Sequence, residues 1–318
     1  MARKPRIHFP GAVYHVILRG NDGQNIFYSQ ADRVRLYLLL QEGIERFGHR
    51  IHAFCLMTNH VHAVIQVGEV PLSKIIQNIS FRYTRYINRR KKRIGHLFQG
   101  RYKALLIDAD SYLLELVRYI HNNPIRVGLA QAPEHYQWSS HRAYTGTIPI
   151  SWLTTDWVLS QFATNEKKAR KLFHEFCMKG IREEHGKEFH SGNFEGRILG
   201  DDRFSEKALA RAEEKSQVRL TVKELVGVIC KNYRINQQTF VAQGKHQPAA
   251  EARAIAAYLV QNAEKLSLTD LGRYVRRDIS ALSRSAGRLR ARLRTEQDLS
   301  GRLAAIEDGI KKKSKCQA

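Results

Sequence analysis

The chain has 318 residues, enough for one large domain or two to three small ones, and its 43% hydrophobic content suffices for a real core. Its 53 Lys+Arg against 30 Asp+Glu give a formal net charge of +23. That self-repulsion points to a polyanionic partner, nucleic acid first and an anionic membrane surface second. No apolar run approaches the roughly 18–20 residues of a membrane span. The basic start also lacks a continuous apolar stretch of signal-peptide length, so a soluble intracellular protein is expected. Cys55, Cys177, Cys230 and Cys316 lie far apart without a CxxC pair, which argues for reduced thiols and against a zinc site or a disulfide framework.

Strand-like and helix-like segments alternate over residues 1–145. Residues 12–19 (AVYHVILR) read as a strand, Gly20-Asn21-Asp22-Gly23 as a turn, and 31–47 as a helix with apolar residues at helical spacing. Residues 50–57 and 60–67 form two strand runs around a Thr58-Asn59 turn. Pro71 opens a helix to about residue 90, and 97–107 reads as a fourth strand. Asp108 or Asp110 caps a helix over 111–122, which Pro124 ends. The order β-α-β-β-α-β-α predicts an α+β, ferredoxin-like antiparallel sheet with an extra helix. Residues 146–215 read as a helical connecting region with a Gly-rich break at 192–200, residues 216–296 as an all-α domain, and 297–318 as a basic tail. Residues 1–150 carry a net charge of +12 and the remainder +11, so both parts are suited to touching nucleic acid.

Three constellations carry chemistry. In His60-Val61-His62 the alternation of a strand sends both imidazoles to one side, where they can share a divalent metal or stand as two half-buried histidines. Tyr119 and Asn123 lie four apart, on one helix face, with Asn123 at the frayed end where its amide oxygen can reach a metal. Such a tyrosine is a nucleophile that needs activation, since its ordinary pKa is near 10, or else a packed aromatic. The run RYTRYINRRKKR holds Arg82, Arg85, Arg89, Arg90, Lys91, Lys92 and Arg93, no acid, and Tyr83 and Tyr86 between them. Cations there neutralise phosphates while either tyrosine stacks on unpaired bases, although a solvated face has the same composition.

The stretches GAVYHVILRGNDGQNIF, FCLMTNHVHAVIQV, GHLFQGRYKALLI and YLLELVRYIHNNPIRVGL, in this order over residues 11–129, resemble the single-tyrosine HUH transposases and, within them, the REP-associated tyrosine transposases. The resemblance implies a ferredoxin-like HUH domain in which His60, His62 and Asn123 bind Mg²⁺ or Mn²⁺ and Tyr119 is the nucleophile. The implied reaction is transesterification of single-stranded, hairpin-containing DNA through a 5′-phosphotyrosine, in a bacterial, nucleoid-associated protein that is monomeric or a homodimer. His121, off the Tyr119 face, is structural or a phosphate contact.

Residues 220–289 resemble the DNA-binding domain of the replication initiator DnaA, an all-helical module with a helix-turn-helix. The resemblance implies a first helix over 268–275 and a recognition helix over 278–289, with Arg276 and Arg277 entering duplex DNA near the start of the latter. Ile279-Ser280-Ala281 replaces the initiator's His-Thr-Thr, so its base preference does not carry over. A helical dimerisation or packing module is the plainer reading of this region. Two other functions fit the residues less fully: a non-catalytic protein holding hairpin DNA or RNA or a helix-turn-helix regulator, and a metal-dependent RNA nuclease using water.

Overall fold

The structure is a computed structural model that describes residues 7–182, 186–217, 221–244, 246–263 and 266–315. The chain divides into two compact units, residues 1–211 and 212–318. Residues 146–211, expected as a connecting region, cluster with the first unit. Cys316 lies outside the described residues, and Cys55, Cys177 and Cys230 are buried free thiols.

In the first unit β1 (Val13–Arg19), α1 (Gln30–Phe47), β2 (Arg50–Leu56), β3 (His60–Gln66), α2 (Leu72–Lys91), β4 (Lys103–Ile107) and α3 (Ala109–Arg126) follow the predicted order. The strands lie as β2-β3-β1-β4, all antiparallel to their neighbours. A fifth strand, β5 (Ile198–Leu199), joins β4 in parallel, so the sheet is mixed rather than purely antiparallel. This strand comes from the Gly-rich break that the sequence left unassigned.

Two local expectations are corrected. The strand read over 97–107 begins only at Lys103. Phe98 pairs with Gly20 in a single bridge, and the left-handed Gly100 (φ 56°) then turns the chain out of extended geometry. The helix read over 111–122 runs from Ala109 to Arg126 with Pro124 inside it. Pro124 lies in the last turn, where only one helical bond is lost and the Pro124 carbonyl still accepts from Leu129 N–H at 2.8 Å.

The sheet has two differently covered faces. Phe54 of β2 pairs with Ala63, and Tyr37 of α1 meets the Phe54 ring edge-on at 6.1 Å; α1 and α2 pack on each other. Strand alternation puts His62 on the opposite face. There Tyr119 of α3 meets it at 5.8 Å between ring centroids. Further helices in the described residues are α4 (His141–Tyr144), α5 (Asp156–Leu159), α6 (Glu166–Lys179), α7 (Glu188–Ser191) and α8 (Asp202–Gln217). α6 packs on α3 and α4.

Among the described residues the second unit is helical: α9 (Val222–Tyr233), α10 (Gln237–Val241), α11 (Ala249–Asn262), α12 (Leu268–Val275), α13 (Ile279–Arg292) and α14 (Gln297–Lys315). Thr221 and Glu224 close a capping box at the start of α9. The basic tail expected from residue 297 is a helix, because Leu299, Leu303 and Ile306 repeat at helical spacing and bury into the same core as Ile229 and Phe240. Among the described residues no helix is long and apolar enough to cross a membrane.

Candidate active site

The β1–β3 register sets Ile17 opposite His62 and His15 opposite Val64, so His15 and His62 project from one face of the sheet. Their rings stack at 5.1 Å, and the His60 and His62 rings meet edge-on at 4.8 Å. The predicted shared side of His60 and His62 is therefore present.

Hydrogen bonds determine which nitrogen of each ring is bare. His15 Nδ1 lies 2.9 Å from the Phe189 carbonyl, which only accepts, so Nδ1 carries the proton. Burial holds His15 neutral, with its pKa lowered to about 3 against the Phe189 bond that favours the charged form. Its bare Nε2 thus accepts from His62 Nδ1 at 2.9 Å, and His62 Nε2 is left bare. Asn59 Nδ2 donates to the Gly23 carbonyl at 3.1 Å, which fixes its amide orientation. Asn59 Oδ1 then accepts from His60 Nδ1 at 2.7 Å and leaves His60 Nε2 bare. Burial, then Arg19 and His190, lower His60 to about 4; burial, then His15, His60 and His190, hold His62 well below the usual range. Both rings stay neutral, as metal ligands must.

α3 brings the other two predicted residues to the same place. Asn123 Nδ2 lies 3.4 Å from His62 Nε2, inside the helix rather than at its end, because α3 continues to Arg126. The Tyr119 hydroxyl lies 2.6 Å from His190 Nε2, with the Arg126 guanidinium 4.7 Å from the ring centre. Burial raises the Tyr119 pKa, while its hydrogen bond to Asn123 and the Arg126 charge act the other way. His190 is exposed and His60 half-buried, so the group opens to solvent on that side. His121 is fully buried and bonds Ser140 Oγ at 2.7 Å, so it is structural.

Sequence reading missed His15, Phe189 and His190. His15 had a signal: it lies two residues from Ile17 on β1, and strand pairing with the HxH run would have placed it on the His62 face. Nothing local marked His190, 71 residues from Tyr119. Its loop is held by Gly192, which is left-handed (φ 65°) and whose added Cβ would stand 2.7 Å from the Ile198 carbonyl oxygen. Replacement of Gly192 by Ala is expected to loosen residues 186–199, seen as several-fold faster limited proteolysis there; unchanged protection would refute this role for the glycine.

The basic run is partly spent within the fold. Arg82 pairs with Glu42, Arg90 with the buried Asp32 at 2.6 Å, and Arg93 Nη1 donates to the Tyr28 hydroxyl at 2.6 Å. Arg85 lies over Phe81 and Lys91 over Tyr28. Tyr83 is fully buried and donates to the Ile26 carbonyl, which rules it out as a base-stacking residue. Tyr86 remains, in a surface cavity lined by Arg35, Arg82, Arg85, Arg89 and Arg90. Arg89 and Lys92 are exposed on the same run. In the second unit α12 coincides with the expected first helix, and α13 starts at Ile279 with Asp278 as its cap. Arg276 is the left-handed residue between them, and Arg277 Nη2 donates to the carbonyls of Ala242 and Gly244 at 3.1 and 3.0 Å.

No curated protein matches the chain. A solved structure of a REP-associated tyrosine transposase bound to a REP hairpin is 19% identical, with a TM-score of 0.41 over 48% of this chain and 92% of that one. Residues 9–123, which run from β1 into α3 and hold His60, His62, Tyr119 and Asn123, match the family model of the IS200-like transposases.

Proposed function

We propose that the protein is a transposase that cuts and rejoins single-stranded DNA through a covalent phosphotyrosine on Tyr119. The observation that carries this reading is the gathering of four side chains on one face of the sheet: the His60 and His62 rings 4.8 Å apart, the Tyr119 ring 5.8 Å from His62, and the Asn123 amide 3.4 Å from His62 Nε2. The IS200-like match over the same residues supports it.

A divalent cation fits this donor set. Both Nε2 atoms are bare, and rotating the Asn123 amide puts its oxygen where Nδ2 stands. Two imidazoles and one amide oxygen suit Mn²⁺ and, with more water, Mg²⁺. His60, His62 and Asn123 would hold such an ion, which would supply charge stabilisation at the scissile phosphate. The chain's own groups do the rest. His190 Nε2 accepts the phenolic proton as the Tyr119 oxygen attacks phosphorus. The bond from phosphorus to the 3′-oxygen breaks, and that oxygen leaves as a hydroxyl after taking a proton from water. The DNA 5′-phosphate remains on Tyr119, and a DNA 3′-hydroxyl reverses the step without ATP.

Hairpin DNA is the substrate we infer, held by the arginine-lined cavity around Tyr86. The second unit is proposed as a DnaA-like duplex reader, with Arg276 and the exposed face of α13 rather than Arg277 against DNA. Incubating the protein with hairpin-bearing single-stranded oligonucleotides should give cleavage only with Mn²⁺ or Mg²⁺ present, one product carrying a free 3′-hydroxyl. Tight hairpin binding without cleavage in any divalent cation would mean a binding protein instead.

His15 fixes the His62 tautomer, so His15→Leu should lower Mn²⁺ affinity about 10- to 100-fold. Calorimetric titration checks this, and an unchanged affinity would contradict the tautomer assignment.

A further inference from the structure

Behind α3, away from the catalytic face, a second group of ligating side chains is assembled that the transposition chemistry does not use. Glu134, in the turn Pro133–His135, His141 at the start of α4 and His174 on α6 each bring one donor atom to within 4.8 Å of the others. His141 Nε2 and His174 Nδ1 are 3.3 Å apart. Two nitrogens bound at about 2.0–2.1 Å in tetrahedral geometry would stand about 3.3 Å apart. Glu134 Oε2 is shielded from water and has no hydrogen-bond partner. A carboxylate oxygen in that state has lost its hydration without compensation, which a cation would supply.

The hydrogen bonds behind His141 aim its lone pair at this point. Ser140 Oγ accepts the Phe54 N–H at 2.9 Å and donates to the Phe54 carbonyl at 3.2 Å. His121 Nε2–H therefore donates to Ser140 Oγ at 2.7 Å, and the bare His121 Nδ1 accepts from His141 Nδ1 at 3.4 Å. His141 Nε2 is then bare toward His174, the arrangement that second-layer partners give to ligating histidines. His141 is buried while Glu134 and His174 are part-exposed, so an ion can enter from solvent. The neighbouring trio His121, His141 and Cys177 is closed on all sides, and burial keeps its thiol protonated.

We propose that Glu134, His141 and His174 form a second, structural site for a first-row divalent transition cation such as Zn²⁺, with water in the fourth position. The ion would tie α6 to the 133–144 segment. This goes beyond the transposase reading and does not depend on it. The sequence expectation against zinc rested on cysteine spacing, and this ligand set contains no cysteine.

The test uses full-length protein with His60→Ala and His62→Ala, which removes the ligands proposed on the sheet. Dialysis against Zn²⁺ and elemental analysis should then find one equivalent per chain, and Co²⁺ should give the intense visible absorption of a four-coordinate site. Adding Glu134→Gln or His174→Ala should weaken Zn²⁺ binding at least 10-fold and abolish the Co²⁺ spectrum. In case the background does not fold, Co²⁺ titration of otherwise unaltered protein is compared with Glu134→Gln alone, and loss of a four-coordinate component supports the site. No bound zinc in the folded background, or Co²⁺ spectra indifferent to Glu134→Gln and His174→Ala, would overturn the proposal.

Discussion

Tyr119→Phe should abolish both strand cleavage and formation of an SDS-resistant protein–DNA complex, while leaving hairpin affinity within about 2-fold of the parent. The substitution removes one oxygen. The ring keeps its packing against Phe189 at 5.1 Å and its place under Arg126, so folding and the basic surface are untouched. What is lost is the proposed nucleophile, and with it the proposed covalent route, which water does not replace. A fall of at least 10³-fold, about 4 kcal/mol of barrier, is expected. A gel assay on end-labelled oligonucleotides measures it, and retained multiple-turnover cleavage would instead assign the attack to water. His190→Ala is the companion: it keeps the phenol but removes the imidazole 2.6 Å away that is proposed to take its proton. Loss of general-base assistance is typically 10²- to 10⁴-fold, and added imidazole should restore part of it.

The second large effect is acid lability confined to the first unit. His49 is 1% exposed and neither of its ring nitrogens has a hydrogen-bond partner; burial lowers its pKa to about 4. His15 is lowered to about 3, and His52 is shifted the same way, each chiefly by burial. The sign follows from linkage. The His15 and His49 rings ionise near 6.5 in the unfolded chain and resist protonation when folded, so their contribution to stability is complete above pH 6.5 and is lost as pH falls toward 3–4. Each of these two groups makes stability fall by about 1.4 kcal/mol per pH unit in that window, and His49 alone is worth roughly 3 kcal/mol by pH 4. None of these residues belongs to the second unit. Differential scanning calorimetry between pH 7 and 4 should show one transition moving sharply down in temperature and another moving little. His49→Leu should reduce the slope of the first by close to one proton. A first-unit transition flat with pH would contradict this account.

Much of the first unit could be read from the residues because local and global preferences agree there. β1, β2 and β3 begin and end within two residues of their apolar runs, and the i, i+4 spacing of Tyr119 and Asn123 survives although α3 runs four residues further than expected. Pro124 misled because a proline in a last turn removes only one helical bond. Tyr83 looked like a surface aromatic because its neighbours are arginines, but it falls on the buried stripe with Ile76, Ile79 and Ile87. The loop bearing Phe189 and His190 was illegible for a different reason. Its position depends on two residues of β5 pairing with β4 and on Gly192, none of which has a periodic pattern. Likewise α14 was hidden by its lysines, although Leu299, Leu303 and Ile306 carry the helical period underneath.

The most direct test of the central claim is the chemical identity of the bond to DNA. After reaction with a hairpin-bearing oligonucleotide and Mn²⁺, nuclease and protease digestion followed by tandem mass spectrometry should find a nucleotide 5′-phosphate on the tyrosine of the peptide containing Tyr119. Cleaved DNA with no modified peptide, or a nucleotide on any other residue, would contradict it.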